Sequence, residues 1–129
     1  MSHYHAIVWL DHLEAKVFHF TDDDAERIAI RSHAPDRHLH HRAGTRTGNR
    51  SPDDHDFFEA VIGALHGSRE WLVVGPGTAK TAFVAHVRER HPAEAPRIVH
   101  VETVDHPSDG ELLRLARKRA AAVDRMLPP

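Results

Sequence analysis

At 129 residues, 40% of them hydrophobic, the chain is long enough to hold one domain with a core that needs no covalent staple. It has no cysteine, which removes disulfides, thiolate metal sites and cysteine nucleophiles, and its longest apolar runs, AIVWL and WLVV, fall far short of the roughly 20 residues that span a bilayer. Net charge is -2 with histidine neutral, but 14 histidines are present, so the sign reverses near pH 6.5, where about half of unperturbed imidazoles carry a proton.

The N-terminal MSHYHAIVWL lacks the basic flank and long apolar stretch of a secretory leader, so a soluble, cytoplasmic protein with a single domain over residues 1–129 is expected. His5 to Leu10 reads as a mostly buried strand. Glu14 to Phe20 alternates through Ala15 and Val17 and forms a hairpin with it, and Glu26 to Arg31 gives a third strand through Ile28 and Ile30. Ser51 and Pro52 then open a helix, with Asp53, Asp54 and Asp56 in its first turns, where the dipole favours carboxylates. Phe57, Phe58, Val61, Ile62 and Leu65 are its buried face, and Gly67 ends it.

Trp71 to Val74 is a continuous apolar strand broken by Gly75-Pro76-Gly77, a structural turn from which Thr78 starts a second helix through Phe83, Val84 and Val87. Ile98 to Val104 is the last strand, with Val99, Val101 and Thr103 alternating against Ile98, His100 and Glu102. Ser108 and Glu111 form a capping box that opens a long helix reaching Met126. The order is therefore βββαβαβα. An antiparallel meander followed by right-handed crossovers predicts an α/β, ribonuclease H-like fold, a mixed five-stranded sheet with helices packed against it.

Between the third strand and the first helix lies HAPDRHLHHRAGTRTGN, His33 to Asn49, too polar to bury itself and longer than most connections. Arg31, Arg37, Arg42, Arg46 and Arg50, with His33, His38, His40 and His41, face only Asp36 as an opposing charge, which suits an anionic partner such as a nucleic-acid backbone. Arg37, His38, His40, His41, Arg42, Gly44, Arg46, Gly48 and Arg50 are the candidate RNA-binding residues: the arginines neutralise phosphates, the glycines let the backbone lie close, and the imidazoles stack on bases. A solvated insertion without a partner is the bland alternative. His38, His40 and His41 also invite a divalent metal, but neighbouring positions of an extended segment point to opposite sides, so no metal and no cofactor is expected.

Read together, that order of elements, AIVWLDHLEAKVFHF, the HHRAG loop, LVVGPGTAK and VETVDHPSDGEL resemble the middle domain of the eukaryotic-type class-1 release factors and their relative Pelota. In particular they are similar to small bacterial proteins made of this domain alone. The resemblance covers Tyr4 to Arg119, and its most specific element is the strand ending in Gly75-Pro76-Gly77, followed by Lys80 and Phe83. In release factors the corresponding loop carries a Gly-Gly-Gln tip that enters the peptidyl transferase centre. Here Ala43 to Asn49 has neither the paired glycines nor the glutamine, so peptide release is not expected. Pelota-like rescue proteins also lack the tripeptide and act by occupying stalled ribosomes and recruiting partners. The resemblance thus implies a non-enzymatic partner of the ribosome or of RNA, acting with other translation factors.

Two other readings stay open. Asp11 follows the first strand and Asp105 the last, and with Glu59 they invite comparison with nucleases of ribonuclease H-like fold, whose carboxylates gather two magnesium ions; as turn and helix-dipole residues they need no metal. The acidic helix start and Asp22 to Asp24 would serve a protein–protein interaction module. Lys80 follows the glycine turn, but GPGTAKT lacks the Gly-Lys-Ser/Thr order of a nucleotide loop, and a surface helix position is expected for it.

Overall fold

The structure, a computed structural model, describes residues 4–32 and 52–126. Five strands, β1 (His5–Leu10), β2 (Glu14–Phe20), β3 (Ala25–Arg31), β4 (Glu70–Gly75) and β5 (Ile98–Thr103), alternate with helices α1 (Pro52–Leu65), α2 (Ala79–Arg90) and α3 (Asp109–Met126) in the expected order. A short 3-10 turn at Ala95–Arg97, not foreseen, precedes β5. The strands form one mixed sheet in the order β3-β2-β1-β4-β5. β2 pairs antiparallel with β1 and β3, while β4 pairs parallel with β1 and β5.

The central strands β1 and β4 are covered on both faces, which is why they read as unbroken apolar runs rather than alternating ones. From β1, Ala6, Val8 and Leu10 point to the layer made by Phe57, Phe58, Val61 and Leu65 of α1 with Phe83 and Val87 of α2. Ile7 and Trp9 point the other way, joining Phe18, Phe20, Leu72 and Val74 under α3. That helix meets the sheet through Leu112, Ala116 and Ala120, one contact per turn, and two of the three are alanines, so its backbone comes close to the strands. Burial of each large apolar side chain contributes about 1.5–3 kcal/mol, so the two layers dominate stability.

Both outer strands depart from simple alternation. On β3, Ile28 is 39% exposed although Ile30 packs on the core. On β5 the register jumps from Trp71↔Ile98 to Leu72↔His100, a bulge that leaves Val99 without a partner. Ile98 therefore packs with α1 and α2, Val99 with the α3 layer, and His100 and Glu102 continue on the α3 side. Val101 is left 44% exposed, so the expected alternation of Val99, Val101 and Thr103 on one face is broken at its first step.

His19 is a buried polar residue on β2. Its Nε2 donates to the Ala64 carbonyl and its Nδ1 meets the Ser68 hydroxyl, both at 2.6 Å, tying the strand to the end of α1. The turn after α1 needs Gly67, whose φ of 102° lies in the left-handed region.

Candidate functional site

β1, β3, β4 and β5 all run in one direction, so their carboxyl ends gather at one edge of the sheet. Connections from β1 and β4 leave toward opposite sides there, the arrangement that in open α/β sheets places ligands beyond the strand ends. The turn after β1, the Gly75-Pro76-Gly77 turn and the segment between β5 and α3 meet at this edge. Ser32, buried and bonded through its N–H to the Leu13 carbonyl at 2.9 Å, fixes the point from which the basic loop departs. The candidate RNA-binding residues Arg37, His38, His40, His41, Arg42, Gly44, Arg46, Gly48 and Arg50 lie outside the described residues, as does the Ser51 cap.

At the root, Arg31 is exposed and makes a long 3.8 Å contact to Glu14. Gly75 closes the sheet edge: a Cβ on it would collide with the Leu10 carbonyl oxygen of the neighbouring strand, so the close backbone approach excludes every other residue type. Its own carbonyl accepts from Val104 N–H at 3.0 Å. Gly77 meets open space and has no positive φ. Lys80 is not the surface residue expected of it. It is 8% exposed, and its ammonium donates to the Gly77 carbonyl at 2.7 Å, so its charge braces the turn from within. Thr78, the N-cap of α2, makes no side-chain capping bond; its hydroxyl lies 3.3 Å from His12 Nε2 across the edge.

The carboxylates proposed for a nuclease do not gather. Asp11 Oδ1 accepts from the Leu13 and Glu14 amides at 2.8 and 3.0 Å, the turn role, while the Asp105 carbonyl accepts from Trp9 Nε1 at 2.7 Å and its carboxylate pairs with His106. Glu59 belongs to a different cluster, where its Oε2 accepts from His86 Nε2 at 2.7 Å and His91 Nε2 at 2.8 Å. These two imidazole N–H groups, His86 first, hold the Glu59 carboxyl below its usual range. The ring of His55, one turn before Glu59, lies 5.3 Å from that of His86. The cluster joins the first helix after the basic loop to α2, and no short motif announces it, because Glu59 and its histidines come from separate helices and the residue after α2.

No protein-family model matches the sequence, and no curated protein matches it. Solved structures do. Archaeoglobus fulgidus Pelota matches with a TM-score of 0.59 and 21% identity over 94% of this chain and 32% of its own. The S. cerevisiae protein Dom34, a translation termination-like factor involved in RNA quality control pathways and interacting with Hbs1, matches with a TM-score of 0.60 and 11% identity over 93% of this chain and 34% of its own. An archaeal translation termination factor, aRF1, matches with a TM-score of 0.53 and 14% identity over 95% of this chain and 38% of its own. The chain thus spans about a third of the length of these proteins, and what it shares with them is the fold.

Proposed function

We propose that this chain is a ribosome- or RNA-associated, translation-factor-like domain that does no covalent chemistry, with the basic loop Arg37 to Arg50 as its principal contact. One observation carries the reading. More than nine-tenths of the chain superposes on part of proteins concerned with translation termination and RNA quality control. The loop adds a chemical reason, since its arginines and histidines offer cations to phosphates, and it departs from the edge where the parallel strands end.

Stalled-ribosome rescue, or a related step with other translation factors, is the role this suggests, and the absent Gly-Gly-Gln argues against peptide release. The test is co-sedimentation of the chain with ribosomes and separated subunits across a salt series. Association that weakens steeply with salt is expected. Failure to co-sediment at low salt, with full-length structured RNA equally unbound, would overturn the reading.

A further inference from the structure

At the opposite end of the sheet, where β1 and β4 begin, three distant parts of the chain converge. His5 Nε2 lies 3.2 Å from Glu70 Oε1 and 3.2 Å from Asp124 Oδ2. All three groups offer ligand atoms within 4.8 Å of one another. We propose that His5, Glu70 and Asp124 bind one divalent transition-metal ion of the zinc class, which pins the last turn of α3 to the amino ends of β1 and β4.

Glu70 supplies the first argument. It is 6% exposed, and its Oε1 is buried and accepts no hydrogen bond of good geometry, its contact being the 3.2 Å approach of His5 Nε2. A buried carboxylate oxygen left in that state is costly, and an ion would satisfy it.

Geometry supplies the second. Ligands about 2.0–2.1 Å from one ion stand roughly 2.8–3.0 Å apart at octahedral angles and roughly 3.3–3.4 Å apart at tetrahedral ones. The two separations at His5 lie close to the tetrahedral spacing. In the Glu59 cluster the atoms sit at 2.7 and 2.8 Å, hydrogen-bond distances at which the groups already satisfy one another. The donor set of one imidazole and two carboxylates suits zinc, cobalt(II) or manganese(II). An open cavity of about 180 Å³, lined in part by His5, Asp22, Arg117 and Asp124, gives water a route to the remaining coordination position.

Asp124 supplies the third. It stands in the last turn of α3, where the helix dipole disfavours a carboxylate, and it faces a second carboxylate. One divalent cation would offset the desolvated acid, the like-charge pair and the unfavourable dipole together.

The test uses the full chain carrying His38→Ala, His40→Ala and His41→Ala, which removes the loop histidines as competing ligands. After chelator treatment, zinc and cobalt(II) are titrated by equilibrium dialysis, by cobalt absorption and by thermal unfolding. One equivalent is expected to bind and to raise Tm, with Asp124→Asn weakening it at least tenfold. Glu70→Gln should lose the metal-dependent rise yet melt no lower than its parent without metal. Asp124 is half exposed, so its variant folds and decides the matter alone if Glu70→Gln does not fold. Absence of binding, or an equivalent retained in Asp124→Asn, overturns the proposal; loss of that equivalent in Glu59→Gln instead would assign the ion to the other cluster and overturn it too.

Discussion

Arg119 of α3 donates Nε and Nη2 to the two carboxylate oxygens of Glu102 on β5, at 2.8 and 3.1 Å. This fork, with His100 Nε2 adding a contact at 2.7 Å, fastens the helix to the sheet edge just beyond the β5 bulge. The guanidinium first and the imidazole second hold the Glu102 carboxyl down to about 2, from 4.5.

Because the folded value lies below the unfolded one, this stabilisation is complete above about pH 4.5 and is lost as pH falls toward 2. Glu59, also held low, acts in the same direction. Glu102→Gln should therefore be less stable than the parent in neutral solution, and the gap should narrow as both are acidified below pH 4.5. Urea denaturation across that range measures it; a gap that stays constant would separate the pair from acid sensitivity.

Gly75→Ala should cost about 2–4 kcal/mol, because the added methyl meets strand backbone, which cannot step aside as a flexible side chain would. Gly77→Ala, in open space, should stay within about 0.5 kcal/mol of the parent. Chemical denaturation of the two variants side by side checks the contrast, and equal losses would contradict the close-approach role.

At the start of α3, Ser108 N–H donates to Glu111 Oε1 at 2.9 Å and Glu111 N–H donates to Ser108 Oγ at 3.2 Å. Ser108→Ala should lose about 1 kcal/mol, whereas Ser108→Asp, able to accept the same bond, should keep most of it. Thermal melts of the two variants distinguish a lost cap from a general effect of substitution.

Replacing Arg42, Arg46 and Arg50 together with alanine should lower ribosome or RNA affinity and reduce the slope of log affinity against log salt by roughly 2–3, if each meets one phosphate. Unfolding of the variant should match the parent. An unchanged slope would remove the loop from the interface.

The order of elements was legible because each strand and helix carries its own local signal: the unbroken apolar run of β4, the Ser108–Glu111 box and the glycine breaks. The β5 bulge was not, since Ile98 to Thr103 alternates well in sequence and only the register against β4 shows where it slips. Lys80 was misjudged for a similar reason. A lysine in the first turn of a polar-looking helix reads as surface, and its burial depends on a carbonyl three residues back that the turn aims at it. Asp11 was readable as a turn residue, and its two amide bonds bear that out. The His5, Glu70 and Asp124 group left no trace in spacing, because the contacts that assemble it are made by sheet pairing and by the return of α3.

That return has a practical outcome. α3 begins near the carboxyl edge, where Lys16 and Arg27 reach Asp109, and ends beside His5, so the described chain enters and leaves the fold on the side away from the root of the basic loop. Additions joined beyond the described ends would therefore be attached at the edge of the sheet opposite the one where Ser32 sits.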